Sequence, residues 1–326
     1  MGPNLPLALL PSLLGLDGIQ SSLEPAGPHA DRIETLGRVM YVGGGLIFLL
    51  VLCLAAIAML VPRRYRGWLA HRNAVFAGGI AFPLVVLSAL LVYGLLVARA
   101  MVVDAGAPGL RIEVVGERWW WRVRYLDASG GVRFVSANEI RMPVDVPVEF
   151  VLLSQDVIHS FWVPSLAGKL DMIPGRANRY TFAAAEEGVY RGQCAEYCGA
   201  QHALMAFYAV AMPPEAFEVW AAREAGPAAE PVTAVQERGR QLFLANGCGA
   251  CHTVRGTPAD GELGPDLTHV GSRLSIGAGI FPNNVGTVAG WISSVQHLKP
   301  EALMPSFGNL EGEELRAIAA YLESLQ

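Results

Sequence analysis

The sequence predicts a multidomain membrane protein in three parts: a transmembrane helical hairpin, an all-β Greek-key barrel or sandwich, and a small all-α domain. Two runs without a charged side chain, 39–61 and 74–98, predict the hairpin. A string of short β-branched or aromatic segments between 108 and 215 predicts the β domain. After a small-residue and proline stretch at 222–233, helical periodicity at both ends of the remaining chain predicts the third part. Composition agrees: of 326 residues, 52% are hydrophobic and only 16% charged, a balance rich for a soluble protein. The net charge of −5 excludes an electrostatic nucleic-acid binder.

The boundaries read as a leader-like segment at 1–37, the hairpin at 38–100, the β domain at 101–221, the linker at 222–233 and the helical domain at 234–326. Residues 7–16 are mostly apolar and of signal-peptide length, but Pro11 interrupts them and no basic residue precedes them. No small-residue cleavage site follows, so the sequence supports removal and retention equally. Each charge-free run exceeds 20 residues, enough at about 1.5 Å per residue to cross a hydrocarbon core of about 30 Å. Gly43-Gly44-Gly45 and Pro83 are tolerated in such helices. The loop between them carries Arg63, Arg64, Arg66 and Arg72, which holds it on the cytoplasmic side. The N-terminus and everything after residue 100 then face outward. Cys53, alone in the first run, reads as a packing residue.

In the β domain the expected strands are 111–115, 119–125, 132–136, 146–153, 157–163, 178–183 and 205–212. Asp127-Ala128-Ser129-Gly130-Gly131 supplies a hairpin turn. Seven short strands at this spacing suit a sandwich or Greek-key barrel. Beyond the linker, helices are expected at 235–246 and 311–325, with loop-rich sequence between.

The other four cysteines form two close pairs, each followed by a histidine, a pattern of metal or haem sites. In the first, Cys194, Cys198, His202 and Met205 place two thiols, an imidazole and a thioether within one short stretch, and His159 is a candidate second imidazole. These are the soft and borderline donors copper prefers. Two bridging thiolates can hold two copper ions close together, each taking one imidazole and a weak axial donor. A tetrahedral zinc site and a Cys194–Cys198 disulfide use the same residues, and the local motif leaves all three open.

The longer motifs narrow the choice. Asp156-Val157-Ile158-His159-Ser160-Phe161-Trp162-Val163-Pro164, then Lys169-Leu170-Asp171-Met172-Ile173-Pro174-Gly175-Arg176, then Gly192 through Met205, resemble subunit II of the haem–copper cytochrome c oxidases. The resemblance runs from the hairpin to about residue 215. It implies a cupredoxin-like barrel with a binuclear copper centre, CuA. The implied ligands are His159, Cys194, Glu196 through its backbone carbonyl, Cys198, His202 and Met205. It further implies that the Glu196 side chain reaches a magnesium ion shared with subunit I. Trp119-Trp120-Trp121 resembles the family's aromatic cluster, with Trp119 at the electron-input position and Trp120 where the family usually has tyrosine. His29, His71, His269 and His297 belong to no motif and read as surface or structural.

In the second pair, Cys248-Gly249-Ala250-Cys251-His252 is the C-x-x-C-H attachment pattern for haem: two thiols add to the vinyl groups and the histidine binds iron. The surrounding sequence resembles class I cytochromes c. Gly239, Phe243 and Tyr321 match the positions where that family packs its terminal helices. Gly264-Pro265-Asp266-Leu267 resembles the segment whose proline carbonyl, here Pro265, accepts from the ligand histidine, and Met304 supplies the sixth ligand.

Together the resemblances imply subunit II of an oxidase with a fused cytochrome c domain, the c-aa type. It would sit in a bacterial inner membrane, two-pass, with copper and haem on the outer face. Electrons would come from an external donor, such as a cytochrome or quinol–cytochrome c reductase. They would enter at haem c and pass by CuA to subunit I, beside subunit III, where oxygen is reduced and protons are translocated. No oxygen-reducing site is expected on this chain. The rival readings are a free-standing membrane-anchored cytochrome–cupredoxin carrier, and the input subunit of a CuA-containing nitric oxide reductase.

Charge constrains the donor. Residues 232–326 hold six basic side chains and nine acidic ones, a balance of −3, and Lys299 is their only lysine. A tether raises effective concentration without strong steering. The external donor is therefore expected not to be strongly acidic. Stopped-flow reduction at rising salt checks this: a rate that falls steeply, and only with an acidic donor, contradicts it.

Overall fold

The computed structural model describes residues 18–103 and 106–326; the apolar stretch at 7–16 lies outside the described residues. Two long helices come first, α1 (Pro28–Leu60) and α2 (Arg72–Val102), both apolar and unburied along their spans. At 33 residues, α1 is about 50 Å long, well beyond a hydrocarbon core of about 30 Å. Its excess lies at the N-terminal end, where His29, Ala30 and Glu34 are buried. The helix thus begins at Pro28 rather than near 38, because its first turns pack on the β domain instead of lipid. In α2, a π-helical stretch at Ala77–Ala81 directly precedes Pro83. A proline has no amide proton for the preceding turn, and the wider winding accommodates that loss.

A short strap ahead of α1 stitches the hairpin to the β domain. Ala26 N–H donates to Ser165 O at 2.7 Å, and Ala26 O accepts from Ala185 N–H at 2.8 Å. Arg191 N–H donates to Ile19 O at 2.7 Å, and His29 Nε2 lies 2.8 Å from Met101 O at the end of α2. The start of α1 therefore meets both the β domain and the end of α2, and the arginine-rich loop lies at the opposite end of the hairpin.

The β domain has ten strands in two five-stranded sheets. They are β1 (Leu110–Glu117), β2 (Trp120–Leu126), β3 (Val132–Ala137), β4 (Glu139–Pro143) and β5 (Val148–Ser154). Then come β6 (His159–Trp162), β7 (Leu170–Met172), β8 (Asn178–Phe182), β9 (Gly188–Cys194) and β10 (Ala206–Met212). One sheet runs β3-β2-β1-β5-β8 and the other β4-β10-β9-β6-β7. The β1–β5 and β4–β10 pairs are parallel, so the chain crosses between sheets as a cupredoxin-like barrel requires. Alternate residues of β2 point inward: Trp121, Val123 and Tyr125 are essentially inaccessible. Trp121, Phe161 and Phe207 pack ring against ring, and Phe161 continues the stack to Phe150 and Phe182. Helix α3 (Pro214–Glu224) then closes one end of the barrel with Phe217 and Trp220.

The helical domain contains α4 (Ala234–Ala245), α5 (Val285–Leu298) and α6 (Gly312–Ser324). Thr233 and Gln236 form a reciprocal capping box that starts α4. The α4–α6 crossing depends on Gly239, where an added Cβ would stand 2.0 Å from Ala317 O and 2.8 Å from Tyr321 Cβ. Phe243 and Tyr321 complete the crossing with ring centroids 5.9 Å apart. Gly239→Val is expected to destabilise this domain by about 3 kcal/mol through overpacking. Chemical denaturation of the full chain, followed by far-ultraviolet circular dichroism, measures it; a midpoint equal to the parent's contradicts the account.

Candidate metal centre and haem-binding site

The soft donors collect at one end of the barrel. His159 opens β6, Cys194 ends β9, and the β9–β10 loop carries Glu196, Cys198, His202 and Met205. Pairing of Phe161 with Cys194 fixes the two strands' register. Three backbone bonds shape the loop: Cys194 N–H to Met205 O at 2.9 Å, Ala195 N–H to Ser160 O at 3.0 Å and His202 N–H to Gly199 O at 3.1 Å. The ring of His159 lies on Gly116 of β1, where a Cβ would come within 2.8 Å of it. Only glycine allows that approach.

All six expected donor positions converge. The two sulfurs stand 3.7 Å apart. His159 Nδ1 is 3.8 Å from the Cys194 sulfur, and His202 Nδ1 is 3.5 Å from the Cys198 sulfur. Met205 Sδ is 3.8 Å from Cys198, and Glu196 O is 3.2 Å from Cys194. Both cysteines are free thiols, so the disulfide alternative is not adopted. His159, Cys194 and Cys198 form a compact three-donor group, and His202 approaches it from the Cys198 side. Among the described residues this is the one such group, and none forms around Glu196, whose carboxylate sits 3.5 Å from Lys169 Nζ.

The electrostatics favour a thiolate before any metal binds. Hydrogen bonding with Cys198 pulls the Cys194 thiol well below the usual thiol range, and the same contact pushes Cys198 up. Burial alone would lower the His159 imidazole, but its contacts with Cys194 and Asp156 outweigh burial and raise it. Asp156 Oδ1 lies 2.8 Å from His159 Nε2, leaving Nδ1 for the metal side. The amides of Val157 and Arg118 in turn hold the Asp156 carboxylate, each at 2.7 Å. This supporting aspartate three residues before the ligand had no role assigned from sequence; its signal is the Asp-x-x-His spacing. Removing such a partner weakens metal affinity about 10- to 100-fold. Asp156→Ala is expected to do so in competition against a copper chelator, and parent-like retention would contradict it.

The second site is a cavity of about 520 Å³ in the helical domain. Cys248, Cys251, His252, Pro265 and Met304 all line it. His252 Nδ1 is 2.8 Å from Pro265 O, which turns Nε2 toward the cavity. Burial lowers the His252 pKa and keeps the ring a neutral ligand. Arg273, unassigned from sequence, also lines the cavity; it is buried, and its Nε has no partner. A mostly apolar chamber with two thiols, a presented imidazole, a thioether and a buried cation fits a haem with anionic side groups.

The two sites are adjacent. Arg118, Trp119, Trp120 and Asn138 of the β domain form part of the cavity wall. Trp119 lies in the β1–β2 turn rather than in a strand, and is buried. Its indole Nε1 donates to Cys198 O at 3.0 Å, so one side chain touches both the cavity and the copper-type loop. The linker is held rather than free: Ala228 N–H donates to Arg255 O at 2.8 Å, and the Arg255 guanidinium donates to Glu224 O and Gly226 O. Lys299 crosses the boundary. It is 3% exposed, and burial pushes its ammonium down to about 7.

Fold and sites define a membrane-anchored redox protein that joins a cupredoxin-like domain to a c-type cytochrome domain. Comparison with known proteins gives the family. The model for the periplasmic domain of cytochrome c oxidase subunit II matches residues 128–211, and the cytochrome c model matches 236–326. Cytochrome c oxidase subunit 2 of Alkalihalophilus pseudofirmus is 32% identical over 94% of this chain and 91% of its own. The Bacillus subtilis protein of the same name is 30% identical over 67% of this chain and 62% of its own. The solved periplasmic domain of the Bradyrhizobium japonicum subunit II is 30% identical, covering 37% of this chain and 96% of that domain with a TM-score of 0.35. The chain belongs to the cytochrome c oxidase subunit II family. It is a part of a haem–copper terminal oxidase, with copper and haem as the metals its domains suggest.

Proposed function

We propose that the chain is the electron-input subunit of its oxidase, receiving electrons in its C-terminal domain and delivering them through the β domain to the catalytic chain. The observation that carries this is Trp119, which forms part of the cavity wall and donates to Cys198 O. One buried side chain thereby spans the two redox sites, and this supports Trp119 as a link between domains rather than a surface input. When bound, a covalent haem c and a pair of copper ions supply one-electron carriers of low reorganisation. Cys248 and Cys251 would attach the haem, and His252 and Met304 would hold its iron. Pro265 fixes the His252 tautomer, and Arg273 offsets negative charge. His159, Cys194, Glu196 O, Cys198, His202 and Met205 would be the copper donors, and two sulfurs 3.7 Å apart with an imidazole near each favour two ions over one.

The outer face of the same loop points away from the helical domain's contacts: Tyr197, between the two cysteines, is 75% exposed. That face suits docking on subunit I. A magnesium role for Glu196 rests on the family resemblance alone, with its other ligands drawn from the partner. The arginine-rich loop between α1 and α2 supports the outer, periplasmic placement of both redox domains. The domain limits read from sequence, 101–221 and 234–326, are proposed with α3 as the cap of the first.

Electron paramagnetic resonance of the full-length chain purified with its native metals tests the reading. A copper signal split by two equivalent nuclei beside a low-spin haem is expected. A copper-free, zinc-loaded sample, or a signal from a single copper, overturns it.

A further inference from the structure

Lys299 follows the last residue of α5 and begins the segment that carries Met304. Its ammonium donates to three backbone carbonyls: Trp119 O at 2.7 Å, Leu204 O at 2.7 Å and Gly277 O at 3.1 Å. Trp119 and Leu204 belong to the β domain, and Gly277 to the helical domain. Three N–H donors thus meet three acceptors, and no carboxylate takes part. Taking an ammonium out of water costs several kcal/mol unless every donor is matched. Such a group adds little net affinity; what it enforces is registry, because any slip leaves a buried charge unmatched.

The three acceptors are placed where registry matters. Trp119 is the residue whose indole donates to Cys198 O. Leu204 precedes the Met205 donor. Neighbouring bonds cross the same seam: Ala206 N–H to Ala278 O at 3.0 Å, Gln201 Nε2 to Pro300 O at 2.9 Å and Arg191 Nη1 to Gly279 O at 2.7 Å. Ala206, Ala278 and Gln201 are buried but neutral, and Arg191 is only half-buried, so of these donors Lys299 alone places a fully buried charge on the seam.

We propose that Lys299 is the positioning residue for electron transfer between the two domains, its ammonium fixing the Met304 segment against the Trp119 peptide and the end of the copper-ligand loop. The proposal rests on the relay reading above. Lys299 also borders the cavity, but its ammonium is engaged by the three carbonyls; it acts by holding Trp119 and the Met304 segment in one arrangement. An arginine cannot replace it, since a planar guanidinium does not match carbonyls converging on a compact, three-donor head. A methionine fills the space but leaves three buried acceptors without a donor.

The test uses the purified oxidase carrying the full-length chain, loaded with haem and copper, as parent, Lys299→Met and Lys299→Arg. A soluble photoreductant reduces the haem in a flash, and the internal rate of copper reduction is followed optically. Amide hydrogen exchange at Ala206 reports the seam independently of activity. Both variants are expected to keep the parent's haem and copper spectra while the internal rate falls by about tenfold or more, as misplacement near 1 Å can produce. Ala206 is expected to exchange faster in both. A smaller fall in rate, or unchanged exchange at Ala206, overturns the proposal. Loss of haem or copper from both variants also overturns it, by making Lys299 a stability residue; if only one loses them, the other decides. Absence of internal transfer in the parent is a different result, and it defeats the relay reading itself.

Discussion

Convergence of six donors from three parts of the chain is the constraint on which the structure turns. Two thiols, two imidazoles, a thioether and a carbonyl do not gather by themselves, since each gives up water and side-chain freedom to do so. The Cys194 amide bonded to Met205 O closes the loop, and the Phe161–Cys194 pairing locks that loop to the strand bearing His159. The aromatic stack of Trp121, Phe161 and Phe207 then makes the barrel end stiff. The ordering entropy is spent during folding, so a metal finds donors already in place.

The helical domain follows a related logic with different means. Its site is built from a single local motif plus two distant residues, Pro265 and Met304, and a cavity that a large planar group can fill. The β domain finishes that cavity. Its turn at Arg118 and Trp119 supplies wall that a free-standing cytochrome domain would leave open to solvent. Shielding an apolar group of that size from water contributes to docking at about 25 cal/mol per Å², so the group that fills the cavity also holds the domains together.

Much of this was legible in the chain. The hairpin followed from length and missing charge, and the copper-type loop from donors crowded between Cys194 and Met205. The C-x-x-C-H motif followed from residue identity and spacing, and both terminal helices of the last domain from periodicity. Three strands of the β domain were not foreseen, for local reasons. β7 has three residues, β9 is interrupted by glycines at 188 and 192, and β4 ends on Pro143. Helix α5, rich in glycine, serine and β-branched residues, reads locally as loop, and its packing overrides that propensity. The contacts between domains left no trace at all. Lys299, Arg141 and Arg191 donate across the boundary to backbone carbonyls, and every residue has one. An acceptor that carries no residue identity cannot be read from residue identities.

The strap ahead of α1 has a mechanical consequence. A domain joined to a membrane helix at one point can swivel about it in every direction. Here the β domain is gripped twice ahead of α1, by Ile19 O accepting from Arg191 N–H and by Ala26 bonded to Ser165 and Ala185. Two grips leave rotation only about the line joining them, and the buried first turn of α1 resists even that. The angle between the copper-type loop and the axis of α1 is thereby set by the chain itself. A partner packed along that helix meets a surface presented at a constant angle, and it need not spend binding energy on aiming it.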